Sequence, residues 1–281
     1  MADIRGKAIV EQNQGELIDK IKGLKEKGVT PTLAIVRVGE RPDDMAYERG
    51  ATNRFKKLEL NVHKESLDQD IDQESFNEVI EKLNRDDNIH GILVLNPLPE
   101  QLSIDKVIEI LNPKKDIDGL TTENMAKVYQ GDETGFAPCT AQGVIDILET
   151  VVGDLTGKKI TIIGTGLVIG KPVSLMAMNK RATITACNSR TPDTKKECRE
   201  ADIIISAVGR AKMVNEEYVS EGQTIIDVGI NEDEEGNMCG DVDYDAVKDI
   251  VANITPVPGG VGSVTTFVLA KQVVKAAENS L

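Results

Sequence analysis

Gly164-Thr165-Gly166-Leu167-Val168-Ile169-Gly170 directly follows the β-branched run Lys159-Ile160-Thr161-Ile162-Ile163 and opens a helical stretch. Glycines at such a turn let backbone amides of a helix N-terminus approach a pyrophosphate, which is the chemistry of dinucleotide binding. The spacing is one residue longer than the common fingerprint, and a plain strand–helix turn also accommodates it, so the flanking residues carry the weight. The next strand runs out into Asn188-Ser189-Arg190-Thr191, with no carboxylate before Asp193. An acidic residue there holds the ribose hydroxyls of NAD, whereas the Ser189 hydroxyl and the Arg190 guanidinium suit the 2′-phosphate of NADP. NADP is expected, with NAD as the alternative and a solvated loop arginine as the plain reading of Arg190. Ala207-Val208-Gly209 and Asp227-Val228-Gly229-Ile230-Asn231 end later strands, where they either lie under a nicotinamide ribose or form ordinary turns.

These segments need a scaffold, and the hydrophobic pattern supplies one. Residues 32–38, 61–67 and 91–95 read as strands, separated by helical stretches over 43–58 and 75–84, the second capped by Ser75 with Glu78 completing a capping box. After residue 138 the pattern restarts with a helix over 140–151, capped by Thr140. Strands follow at 159–163, 182–187, 203–208, 224–228 and 253–257, and a closing helix spans 262–280. Strand–helix alternation implies an α/β fold with parallel sheets covered by helices.

Composition narrows the function. The 281 residues carry a formal net charge of −14, which argues against a nucleic-acid partner and means that an anionic ligand needs a locally basic site. Cys139, Cys187, Cys198 and Cys239 stand far apart, and His63 and His90 have no metal-ligand spacing, so no metal site or disulfide framework is expected. No apolar run is long enough to span a bilayer, and the first residues lack a secretion signal's apolar core. A cytoplasmic protein without a membrane partner is the expectation.

Residues 38–47, 91–99, Lys115-Asp116-Ile117-Asp118-Gly119 with Asn124, and Pro138-Cys139-Thr140 form one part of a collinear set. It continues with Gly170-Lys171-Pro172, Asp227 to Asn231, Gly240-Asp241-Val242 and Thr255-Pro256-Val257-Pro258-Gly259-Gly260-Val261-Gly262. Together these segments resemble the bacterial bifunctional methylenetetrahydrofolate dehydrogenase/methenyltetrahydrofolate cyclohydrolase family across nearly the whole chain. The resemblance implies two domains around a cleft that holds folate. A parallel-sheet catalytic domain would span 1–137, completed by the C-terminal helix 263–281, and a Rossmann-type NAD(P)-binding domain would span 138–262. It implies that Tyr47 stacks on the folate rings and that Asp118 accepts hydrogen bonds from the pterin edge, whose adjacent N–H donors suit a carboxylate. Read without it, Tyr47 is a helix aromatic and Asp118 a turn residue. Pro258, Gly259 and Gly260 would let backbone approach the folate beside Thr265. Gly164, Thr165, Gly166 and Ile230 correspond to the family's cofactor contacts, and the reading of the glycine turn and strand ends adds Gly170, Ser189, Arg190, Val208 and Gly209 as cofactor-binding candidates. A homodimer is implied as well.

Two departures bear on the chemistry. Where the family has a lysine four residues after the tyrosine, this chain has Ala51; where it has a glutamine before the Pro-Leu-Pro run, this chain has Leu95. That pair is the one assigned to hydrolysis of the methenyl group, and neither alanine nor leucine moves a proton. The expectation is oxidation of 5,10-methylenetetrahydrofolate to 5,10-methenyltetrahydrofolate by hydride transfer to NADP, with cyclohydrolase activity weak or absent. The alternatives are the full bifunctional enzyme, with Lys56 or Lys57 reaching inward, and a catalytically silent folate- or nucleotide-binding protein. Near the cofactor, Thr165-Gly166 replace the family's Arg-Ser, Ala141 replaces a proline, and Ser263-Val264 replace Pro-Met.

Overall fold

A computed structural model describes residues 2–281. In chain order the first elements are β1 (Ala2–Asp3), α1 (Gly6–Glu26), β2 (Thr32–Val38), α2 (Pro42–Lys57), β3 (Asn61–Leu67), α3 (Gln73–Arg85) and β4 (Gly91–Val94). Next come α4 (Ile104–Ile110), α5 (Thr122–Gln130), α6 (Cys139–Val151), β5 (Lys159–Ile163), α7 (Gly170–Asn179), β6 (Thr183–Cys187) and α8 (Thr194–Arg199). The remainder is β7 (Ile203–Ser206), β8 (Thr224–Asp227), β9 (Asn231–Glu232), β10 (Met238–Cys239), α9 (Tyr244–Val247), β11 (Asn253–Ile254) and α10 (Val261–Asn279). None of these helices is long and apolar enough to cross a membrane.

The chain forms two compact units. One comprises Asn13–Cys139 and Thr266–Leu281; the other takes the residues up to Gln12 together with Thr140–Thr265. The first dozen residues therefore group with the second unit, not with the catalytic domain in which the sequence reading puts them. The reason is hydrogen bonding: β1 pairs in parallel with β11, and the Ile4 N–H donates to the Ile254 carbonyl at 2.8 Å.

The first unit is built on a parallel sheet of order β3-β2-β4. β2 is central and almost wholly apolar because both its faces are covered. On one face Ala34, Val36 and Val38 alternate toward a core shared with Phe76, Ile80 and Leu83 of α3. Those three recur at helical spacing, so α3 presents a single apolar stripe. Its N-cap is Asp72, whose side chain accepts the Ser75 N–H at 2.8 Å; Ser75 is thus the capped residue, not the cap expected of it. Thr140 is likewise no cap, since α6 already begins at Cys139. α1, which strand–helix alternation does not call for, buries Val10, Leu17, Ile21 and Leu24 at helical spacing.

The second unit carries a sheet of order β1-β11-β8-β7-β5-β6, parallel throughout, beside a small antiparallel β9–β10 pair. From β5 the chain moves outward to β6, then returns across β5 to β7, so the winding direction reverses between β5 and β7. Parallel α/β sheets bind ligands beyond the carboxyl ends of the strands at such a reversal.

α2 is held in rotation by charge as well as packing. Its buried positions include Asp44, Glu48, Ala51 and Phe55. Glu48 accepts from Arg37 Nε of β2 at 3.0 Å and from Lys64 Nζ of β3 at 2.8 Å. Burial works to raise the Glu48 pKa, but the Lys64 and Arg37 bonds prevail and hold it below the ordinary range. Replacing Glu48 by alanine leaves the partly buried Arg37 without its carboxylate, held only by the Gly39 carbonyl and the Ser66 hydroxyl. We expect a loss of about 3 kcal/mol in unfolding free energy, measured by urea titration at neutral pH.

Candidate functional site

In the first unit, Tyr47 faces out of α2 one residue before the anchored Glu48. Its side chain is half-buried, and the Cys139 thiol and the Asp118 carboxyl both act on its phenol, which places the three groups in one neighbourhood. Burial first, then those two neighbours, pushes the phenol well above its usual range, so it stays protonated.

Asp118 sits in the loop between α4 and α5, and its neighbours explain why the motif around it has the residues it has. Asp116 is 1% exposed and saturated: it accepts the N–H groups of Leu120 (2.9 Å) and Thr121 (2.8 Å), the Thr121 hydroxyl (2.7 Å) and the Asn124 amide (2.8 Å). Lys115 ties the loop to α3 through the carbonyls of Leu83 and Asp86. Gly119 has φ +65°, and a Cβ there would lie 2.6 Å from the Phe136 carbonyl oxygen. Lys115, Asp116, Gly119 and Asn124 are therefore scaffold. Asp118 differs: its Oδ1 accepts the Cys139 N–H at 2.8 Å, the first amide of α6, and the Cys139 thiol bonds the same carboxyl, so two donors meet Asp118 where four meet Asp116. Burial pushes Asp118 up to about 6, against the pull of the Cys139 amide and thiol. A carboxylate that meets two donors rather than four, beside a neutral phenol, is suited to accept from a flat polar ligand.

Ala51 and Leu95 are both enclosed, at 0% and 8% exposure, and place only methyl and methylene groups there. Lys56 and Lys57 are exposed. Arg54, partly buried and seven residues after Tyr47, lies on the same side of α2; burial lowers its pKa, but a guanidinium does not act as a base near neutral pH. His90 is buried and neutral, accepting the Thr32 N–H at Nδ1, and His63 pairs with Glu65 at the surface.

In the second unit, four loops leave neighbouring strands at the same level. Ile163 pairs with Cys187 on one side and Ser206 on the other, and Ser206 pairs with Asp227. Residues 164–170, 188–191, 207–210 and 228–231 therefore emerge side by side at the carboxyl edge, spanning the β5/β7 reversal. Gly164 has φ +102°, and a Cβ on it would lie 2.2 Å from the Ala207 carbonyl oxygen. At Gly170 a Cβ would lie 1.9 Å from the Gly164 oxygen, whereas around Gly166 the space is open. α7 begins with no side-chain cap. Thr165 is partly exposed beside the open Gly166. Ser189 and Arg190 are exposed, and among the described residues the Arg190 guanidinium meets no ion-pair partner. The Val208 N–H donates to Asp241 at 2.7 Å, Gly209 takes φ +65°, and Ile230 is 70% exposed. The glycine turn, Ser189, Arg190, Val208, Gly209 and Ile230 thus share one edge of one sheet. Compact glycines, an uncapped helix start and a free cation fit a dinucleotide phosphate chain.

Pro258, Gly259, Gly260 and Thr265 group with this second unit rather than with Tyr47 and Asp118. Pro258 and Gly259 are exposed, while Thr265 is buried with its hydroxyl donating to the Val261 carbonyl at 3.3 Å. Sequence reasoning gave no role to Cys139, whose amide fixes Asp118, or to the buried carboxylates Asp227 and Asp241. The available signal was an aspartate flanked by glycine at an apolar strand end. Among the described residues, no cluster of His, Cys, Asp or Glu is arranged to hold a metal.

Comparison with known proteins accounts for both units. Residues 4–118 match the family described as "Tetrahydrofolate dehydrogenase/cyclohydrolase, catalytic domain", and residues 138–281 match its "NAD(P)-binding domain". The "Bifunctional protein FolD" of Alkaliphilus metalliredigens (strain QYMF) is 48% identical over 275 residues, covering 98% of this chain and 97% of that protein. The crystal structure of the bifunctional FolD enzyme, methylenetetrahydrofolate dehydrogenase/cyclohydrolase, from Campylobacter jejuni superposes with a TM-score of 0.96 at 37% identity, covering 100% of both chains. The Trypanosoma brucei enzyme, solved with NADP cofactor and inhibitor, gives a TM-score of 0.93 at 30% identity, covering 99% of this chain and 98% of that one.

Gly164 and Gly166 have opposite roles in the turn, and substitution separates them. Gly164→Ala forces a strained conformation against the Ala207 carbonyl, for a loss of roughly 2–4 kcal/mol in stability. Gly166→Ala meets open space and should change stability by less than about 0.5 kcal/mol. Thermal unfolding of the two variants beside the parent protein checks the contrast.

Proposed function

This chain belongs to the tetrahydrofolate dehydrogenase/cyclohydrolase family, and on that premise we propose that it oxidises 5,10-methylenetetrahydrofolate to 5,10-methenyltetrahydrofolate with NADP and hydrolyses the product weakly or not at all. The observation that carries the folate assignment is the partly satisfied carboxyl of Asp118 beside the protonated Tyr47, two residues after Asp116, which already accepts four donors. The pterin ring presents adjacent N–H donors to that carboxyl, and the Tyr47 ring offers an apolar face for stacking. Pro258, Gly259, Gly260 and Thr265 complete the folate contacts in this reading.

The cofactor is assigned to the carboxyl edge of the second sheet. Gly164, Thr165, Gly166 and Gly170 offer backbone at the start of α7 to the pyrophosphate, and Ser189 and Arg190 meet the 2′-phosphate. Val208, Gly209 and Ile230 lie on the nicotinamide side. When bound, NADP supplies the hydride acceptor. The protein's task is placement, because hydride transfer needs donor and acceptor held about 3–3.5 Å apart and aligned. No base is required of the chain for this step, since the methenyl cation is stabilised by its own flanking nitrogens. Tyr47 keeps its proton and cannot serve as one.

Hydrolysis is different, because water must be activated and a proton accepted. Ala51 and Leu95 offer neither, Lys56 and Lys57 are turned to solvent, and Arg54 holds its proton. The second reading is the complete bifunctional enzyme, favoured by the naming of relatives 48% identical to this chain. One pair of assays decides. With methylenetetrahydrofolate, turnover is expected with kcat/KM at least tenfold higher for NADP than for NAD; a preference for NAD would overturn the cofactor assignment. Pure methenyltetrahydrofolate should disappear at its uncatalysed rate, and a protein-dependent rate lost in Tyr47→Phe or Asp118→Asn would establish the bifunctional reading.

Asp118 also sets a pH dependence. Burial raises its pKa to about 6, so the fold favours the protonated acid: this group's contribution to stability is fully present below the ordinary carboxylate range and is lost as pH rises through about 6. Folate binding has the opposite sign, because the ionised form is the acceptor. KM for methylenetetrahydrofolate should rise as pH falls through about 6, and Asp118→Asn should flatten that profile while raising KM throughout.

A further inference from the structure

Asp241 follows β10 and is wholly buried, at 0% exposure. Its carboxylate accepts four donors from two loops. Oδ2 takes the Val208 N–H at 2.7 Å and the Ser206 hydroxyl at 3.2 Å; Oδ1 takes the Arg210 N–H at 2.9 Å and the Asn231 side-chain amide at 3.0 Å. The first three come from the end of β7, and the fourth from the loop after β8. Asp227, 3% exposed, lies beneath it and accepts the N–H groups of Gly229, Asp241 and Val242, each at 3.0 Å. The glycines make room for this arrangement. A Cβ on Gly229 would lie 2.2 Å from Asp241 Oδ1, and one on Gly240 would lie 1.8 Å from Asp227 Oδ2.

Ile230 is therefore an exposed apolar side chain on a fixed loop. The residue before it is bound to Asp227 and the residue after it to Asp241, while its own side chain is 70% open. Val208 and Gly209 are bracketed in the same way by the two amides that Asp241 accepts. A carboxylate does here what no neutral side chain can: it offers acceptors on both edges, so donors from two loops converge on one residue without any of them meeting another donor.

We propose that Asp241 is a positioning residue for the nicotinamide half of the dinucleotide, locking residues 208–210 and 229–231 at one fixed spacing. This rests on the cofactor assignment made above for Val208, Gly209 and Ile230. Asp241→Asn is isosteric, but its NH2 must face N–H or O–H donors on one edge, so one loop is released. The spacing then relaxes while the glycine turn, Ser189 and Arg190 are untouched.

The test is steady-state kinetics on the full-length Asp241→Asn protein, with NADPH binding followed by nucleotide fluorescence. KM for NADP and Kd for NADPH should rise at least tenfold, with KM for methylenetetrahydrofolate within twofold of the parent. General damage to the fold moves both KM values together, and that result, or no change in either, overturns the proposal. Asn231→Ala removes one donor of the four and serves where Asp241→Asn does not fold; it should raise KM for NADP about threefold, and an unchanged value also overturns the proposal. Parent protein that fails to bind NADPH at all would instead bring down the cofactor assignment on which the proposal stands.

Discussion

Where parallel strands end, the sheet ladder stops and the backbone amides of the following loops lose their partners. Buried amides must find acceptors, and loops packed against a sheet cannot all turn to water. In this protein the acceptors are carboxylates placed inside the loops. Asp116 gathers the turn leading into α5, Asp118 receives the first amide of α6, and Asp227 and Asp241 gather the loops after β7, β8 and β10. Each takes a charge out of water, and the strain of crowding two of them is visible where burial and the Asp241 charge push Asp227 up to about 7. What offsets it is the number of donors converging on each oxygen.

The degree of satisfaction then separates support from site. Asp116 and Asp241 each accept four hydrogen bonds and are closed to further partners. Asp118 accepts one backbone amide and the thiol of that same residue, Cys139, and so keeps acceptor capacity. A chemically identical side chain two positions away is scaffold because its valence is used up. The same distinction applies on α2, where Glu48 is consumed by Arg37 and Lys64 and thereby fixes the rotation of the helix that carries Tyr47.

The dinucleotide side works with far less side-chain chemistry. Its turn is shaped by carbonyl oxygens that would collide with any Cβ at Gly164 or Gly170, and in the proposed assignment its phosphate ligands would be backbone amides. Backbone recognition cannot tell NADP from NAD, so the proposed assignment gives that discrimination to Ser189 and Arg190 beyond β6. The relatives' bifunctional naming and this chain's Ala51 and Leu95 pull in different directions for the second reaction, because overall identity reports the fold while the proposed loss of hydrolysis rests on two particular side chains.

The residues alone carried the strand–helix alternation, the restart of the pattern after residue 138 and the glycine turn, because apolar periodicity and glycine placement are local properties. They also carried the family, because collinear motifs need no coordinates. They did not carry the place of the N-terminal strand, since β1 finds β11 across some 250 residues and nothing local marks the pairing. Nor did they show that Ser75 is capped rather than capping, because Asp72 and Ser75 are equally good caps until the helix start is known. Least legible was the division of labour among the aspartates. Whether a carboxylate is spent on structure or open to a ligand depends on how many donors surround it, and those donors come from segments far apart in the chain that only folding brings together.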